Sequence, residues 1–196
     1  MRIAIVGTAG RKEDGPKLSK ELYFKMVNDA WSLLIDLQEE HIRDKPSGYE
    51  YNLDLVSGGA AWSDHCAISL YLMDQVADSL TLYFPCKWDQ KDRVFFLDNE
   101  PKSYHSPSST ANYYHKLFSE KMGRSSLDGI QRAIDKGAVY HEIQGGFLAR
   151  NLLVGKVDAL LCYGFSPGDR PTTSGSSHCW NNSSARIKIY REIGEL

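Results

Sequence analysis

Two turns of this chain carry the residue types that hold anions. Gly7-Thr8-Ala9-Gly10-Arg11 follows the apolar run at residues 2–6, and Ser57-Gly58-Gly59-Ala60-Ala61-Trp62-Ser63-Asp64 follows the run at 51–56. Each turn precedes a stretch able to wind into a helix. A strand that ends in small residues and feeds a helix aims unpaired N–H groups and the positive helix end at one spot, which suits a phosphate. Glycines also let tight strand–helix turns close without any ligand. Two such turns within one half-chain favour a nucleotide-type site, with the space over Gly58 as the anion position.

Further candidates lie along the chain. Arg11, at the exit of the first turn, could clamp a phosphate with two parallel hydrogen bonds or stand as a solvated surface arginine. Asp64, or Ser63 beside it, could cap the second helix. Asp64 could instead hold a ribose hydroxyl pair, or act on one as a catalytic carboxylate. Arg150-Asn151 falls in a helical stretch and offers a guanidinium to a core carboxylate or a ligand. The run from Thr172 through Gly175, Ser176 and Ser177 to His178 gathers hydroxyls and backbone donors ahead of a helix and fits a third phosphate cradle. Of six histidines, His65 and His178 lie on these loops and could serve as general acid or base near neutral pH. No Ser–His–Asp triad can be read from the spacings.

The elements that must position these residues alternate. Strands are expected at 2–6, 51–56, 79–84, 157–163 and 186–193, with helices at 17–41, 125–136, 146–156 and 177–184 and another after Asp64. This predicts an α/β, Rossmann-like, doubly wound and mainly parallel sheet. Ligands of such sheets bind beyond the carboxyl ends of the strands, where the strand order reverses, and all three loops start there. The 196 residues, 42% hydrophobic and 24% charged, fit one domain spanning 1–196. A net charge of −2 argues against a general nucleic-acid binder. No apolar run approaches the ~20 residues of a membrane span, and the first strand leaves no room for a signal-peptide layout. The four cysteines form no CxxC pair, which predicts free thiols in a reducing cytoplasm and no metal site; no resident cofactor is expected either.

Residues 86–124 interrupt the alternation. They are polar and aromatic-rich with few strand signals, and are read as a helical or loop insertion whose rings need a packing partner. Such a segment could fold over the strand ends as a lid or form a homo-oligomer contact, and its Glu100 is a second candidate carboxylate.

At these residues the chain resembles the SLOG superfamily of Rossmann-like proteins. The resemblance rests on the pairing of the Gly7–Arg11 turn with the Ser57–Asp64 turn, on Arg150-Asn151, and on the Ser174–Trp180 segment, and it covers everything outside the insertion. It implies a small-molecule nucleotide ligand, including an ADP-ribose-like derivative, bound by a sensor or sequestering protein. Members also include nucleotide phosphoribohydrolases and single-strand DNA binders, so an N-glycosidase and a DNA-binding module are the alternatives it implies. Ser63 departs from the glycine the family places before the aspartate. Aligning Gly175-Ser176 with the family's Gly-Thr turn puts Cys179 where the hydrolases carry a glutamate, and a thiol cannot stabilise an oxocarbenium-like centre as a carboxylate does.

Overall fold

The computed structural model describes residues 1–46, 48–96, 106–172 and 174–196. Six parallel strands form one sheet in the order β6-β3-β2-β1-β7-β8, built from β1 (Arg2–Gly7), β2 (Asp54–Ser57), β3 (Ser79–Phe84), β6 (Val139–Glu142), β7 (Ala159–Gly164) and β8 (Ile187–Glu192). The chain winds outward from β1 through β2 and β3 to β6, then returns to lay β7 on the other side of β1. The order therefore reverses between β1 and β7, and a crevice opens beyond their carboxyl ends. β1 and β7 read as unbroken apolar runs because both faces are covered: Ile3, Ala4, Ile5 and Leu160, Leu161, Cys162 are all fully buried.

The crossovers are helices whose apolar spacing matches the helical repeat. α2 (Lys20–Ile42) follows a single-turn α1 (Asp14–Lys17) and buries Tyr23, Met26, Ala30, Leu33 and Leu37 on one face. Ser19 caps it by accepting from the Leu22 N–H at 3.1 Å, a contact worth about 1 kcal/mol. α3 (Ser63–Leu72), α6 (Gly146–Val154) and α7 (Ser174–Asn182) complete the layers.

Two elements depart from the expectation. The segment at 137–143, between the helices expected at 125–136 and 146–156 and outside every expected strand, contains β6, which pairs with β3 at the sheet edge. Its pattern is mostly exposed, with Val139 56% accessible, so it lacks the apolar alternation that marks a half-buried strand. The stretch at 86–124 is ordered in its described part. β4 (Lys87–Asp89) and β5 (Val94–Phe96) make a short antiparallel hairpin, and α4 (Pro107–Met122) and α5 (Ser126–Asp135) follow. Asn112 of α4 ties the two together, accepting from the Phe95 N–H at 3.0 Å and donating to its carbonyl at 2.8 Å. Glu100 lies outside the described residues.

Candidate functional site

A cavity of about 680 Å³ lies at the carboxyl ends of β1 and β2, where the strand order reverses. Its lining includes Gly7, Thr8, Ala9 and Arg11 from the first turn, Gly58, Gly59 and Asp64 from the second, Arg150 and Asn151 from α6, and Gly175 and Ser176 from α7. Eleven sequence-predicted positions thus converge. This size suits a ligand of nucleotide dimensions.

The two glycine turns share one internal device. In the first, Gly10 N–H donates to Thr8 Oγ1 at 3.1 Å while the Thr8 hydroxyl donates to Asp14 Oδ2 at 2.6 Å. In the second, Gly59 N–H donates to Ser57 Oγ at 3.0 Å while the Ser57 hydroxyl donates to the Asp64 carbonyl at 2.8 Å. Both hydroxyls are committed to shaping their turns. Ser57 is fully buried and does not line the cavity, so it supports the turn rather than facing a ligand. Ala9, Ala60 and Ala61 line the cavity, and their backbone N–H groups have no protein acceptor among the described residues.

Glycine is required in these turns by close approach. A Cβ on Gly7 would sit 2.0 Å from the Tyr163 carbonyl, and one on Gly58 would sit 1.0 Å from Arg150 Nη1. The space over Gly58, read from sequence as the anion position, is therefore filled by a side chain of the protein itself. Arg150 Nη1 donates to Asp64 Oδ2 at 2.8 Å, and both residues are more than nine-tenths buried. This ion pair replaces the helix cap expected of Asp64: no side chain caps α3, and Ser63 turns its hydroxyl towards Met26 and the Tyr163 carbonyl. Arg150 Nε is buried with no partner among the described residues, so the guanidinium retains unused donor capacity beside the cavity.

Aromatic rings wall the upper part. The Phe147 ring lies 5.0 Å from the Arg11 guanidinium and 5.8 Å from that of Arg150, and Arg11 also lies 5.5 Å from the Tyr114 ring. Arg11 is exposed at the mouth, where Glu13 stands as well. Phe95 and His115 continue the wall, their rings 5.6 Å apart.

His115, like Phe95, Tyr114 and Phe147, lines the cavity without having been a sequence candidate. Its Nε2 donates to the Gly59 carbonyl at 2.9 Å, which leaves Nδ1 to accept from Ser126 Oγ at 2.9 Å in the neutral ring. Burial pushes its pKa down to about 4, with the Arg150 charge adding to the shift and the Gly59 hydrogen bond opposing it. The available signal was Ser106-Pro107 followed by Ala111, His115, Phe118 and Met122 at spacings of three and four, a cap followed by a helical face.

Several predicted site residues stand elsewhere. His65 packs among Tyr23, Phe118 and His115 away from the cavity, and burial holds its pKa well below the usual histidine value. Ser177 and His178 do not line the cavity; Ser177 Oγ accepts from Asn181 and the His178 carbonyl accepts from Asn182. Their place on α7 turns them away, while Ser176 and Cys179 face inward. Burial and the nearby Asp64 push the Cys179 thiol up to about 12, so it stays protonated and is a poor nucleophile. Asn151 braces this wall by donating to the Gly175 carbonyl at 3.0 Å. Among the described residues no three His, Cys, Asp or Glu side chains gather as a metal site, all four cysteines are free and buried, and no helix is long and apolar enough to cross a membrane.

The chain is 32% identical over 191 residues to "Uncharacterized protein R261" of Acanthamoeba polyphaga mimivirus, an alignment covering 96% of this chain and 94% of the viral one. It belongs to the same family as that protein. No family model matches the chain, and no solved structure matches it.

Proposed function

We propose that this member of the R261 family binds a nucleotide or an ADP-ribose-like nucleotide derivative, as a sensor or sequestering protein of SLOG type. The observation that carries the reading is the buried Arg150–Asp64 pair at the floor of the cavity, beside two glycine turns with unaccepted N–H groups. An anion entering there meets backbone donors and an arginine already oriented by its carboxylate, so little ordering cost remains at binding. The rings of Phe95, Tyr114 and Phe147 supply faces for a base, and exposed Arg11 supplies a second cation at the mouth.

The same pair favours binding over hydrolysis. The buried carboxylate of the cavity is engaged by Arg150, and Asp14 is engaged by Thr8. An N-glycosidase would need an ionised carboxylate facing the ligand, and Asp64 lines the cavity, which keeps that activity as the second reading. A thermal-shift panel of AMP, ADP, NAD and ADP-ribose, with chromatography of the mixture afterwards, separates the two. The binding reading predicts a raised Tm with intact ligand; a saturating ligand at about 100-fold its Kd adds about 2.7 kcal/mol. Release of free base assigns the glycosidase, and a panel without any shift contradicts both.

A further inference from the structure

α2 is apolar on two faces. One is buried in the core. The other carries Phe24, Trp31, Ile35 and Ile42, which are 42%, 48%, 42% and 39% exposed. Single surface apolar residues are ordinary, but these four lie on one seam. With Asn28 and Gln38 between them, the spacings run four, three, four, three, four, the repeat of a coiled-coil contact line.

We propose that this seam is the contact surface between two copies of the chain, paired antiparallel through α2. Positions 24 and 42, 28 and 38, and 31 and 35 are all centred on position 33. A twofold axis there seats Phe24 against Ile42 of the partner subunit and Trp31 against Ile35 of the partner subunit. It also places Asn28 beside Gln38 of the partner subunit, a polar pair that fixes register. Charge complementarity selects this orientation. Lys25, Ser32 and Glu39 are exposed in a row flanking the seam. In the antiparallel register Lys25 faces Glu39 of the partner subunit, twice by symmetry, and Ser32 meets its own copy at the axis. In a parallel register this flank would lie on opposite sides of the seam. It would then face the row of Val27 and Leu34, which are buried in their own core, and both charges would go unpaired.

No α2 residue lines the cavity, so pairing leaves the proposed ligand site open and stands or falls apart from it. Light scattering and sedimentation of the full chain test it. The wild type should be a dimer that dissociates on dilution. Trp31→Glu should be a monomer with an unchanged circular-dichroism spectrum. Lys25→Glu should weaken the dimer about tenfold, since two opposed pairs become repulsive, and adding Glu39→Lys should restore it. A Ser32→Cys variant should be joined to its own copy by a short bis-maleimide, and Glu40→Cys, on the outward face, should not. A wild type that stays monomeric at its highest soluble concentration overturns the proposal and leaves the face to a partner of another sequence. A dimer that survives Trp31→Glu, or a charge swap that fails to rescue, overturns it equally.

Discussion

The first and second glycine turns use the same hydroxyl-to-glycine device, yet the molecule treats them differently. The second is covered by Arg150 over Gly58, by Phe84 against Gly59, and by His115 on the Gly59 carbonyl, so side chains of α6, β3 and α4 all meet on it. The first is packed at Gly7 by the Tyr163 carbonyl and Ser63 and at Gly10 by Trp62, but it ends in exposed Arg11, whose guanidinium meets ring faces alone among the described residues. A turn locked by side chains from distant elements couples ligand geometry to folding. An exposed residue at the end of a turn can change affinity while leaving stability alone. The floor and the mouth of the cavity should therefore respond to mutation in different currencies.

The largest effect is expected at the floor. Arg150→Met removes one partner of a buried ion pair and leaves Asp64 uncompensated, which should cost about 3–5 kcal/mol in urea unfolding. Gly58→Ala acts on the same pair from the backbone side, because its Cβ would displace the guanidinium, and should destabilise in the same direction. If either variant unfolds at the wild-type midpoint, the floor is not locked and the contrast between the turns disappears.

Next comes pH. His115 is held neutral in the folded chain, with its pKa near 4 against about 6.5 unfolded. Above pH 6.5 the residue contributes no pH dependence. Between about 6.5 and 4 the unfolded chain binds a proton that the folded one refuses, so stability falls as pH falls, by up to about 3 kcal/mol. His65 adds to the loss in the same direction. Unfolding measured at pH 7 and pH 5 should show the decline, and His115→Gln should lessen it, leaving the part due to His65. An equal decline in that variant would place the sensitivity away from the second turn.

Smaller effects sharpen the comparison. Ser57→Ala leaves the buried Gly59 N–H without its acceptor and should cost about 1–3 kcal/mol in the same unfolding assay. Arg11→Ala at the mouth should change stability by no more than about 0.5 kcal/mol, as expected of a surface substitution, while weakening nucleotide binding about tenfold. A large loss of Tm in Arg11→Ala would show that the mouth, too, is structural.

The contrast also explains what could be read from the chain. The strands at 2–6 and 157–163, the helix at α2 and the meeting of three loops were legible because apolar period and small-residue turns are local signals. The switch between β1 and β7 follows from them. The Arg150–Asp64 pair was legible only as two candidates, since their partnership spans 86 positions and no local spacing encodes it. β6 escaped because an exposed edge strand of four residues has no apolar rhythm. His115 escaped because the insertion was read for its aromatic rings, while its helical spacing carried the positional information. Ser177 and His178 were overcounted: a polar loop ahead of a helix looks alike on every side until the helix phase is known, and among the described residues of that run Gly175 and Ser176 line the cavity while Ser177 and His178 do not.

The most direct test of the central claim is calorimetric titration of ADP-ribose and AMP into the wild type and Arg11→Ala, with folding checked by circular dichroism. The account predicts saturable binding near one ligand per chain for at least one of the two, and about tenfold weaker binding in the folded Arg11→Ala protein. Absence of binding by the folded wild type to both ligands, or an affinity untouched by removing Arg11, would contradict it.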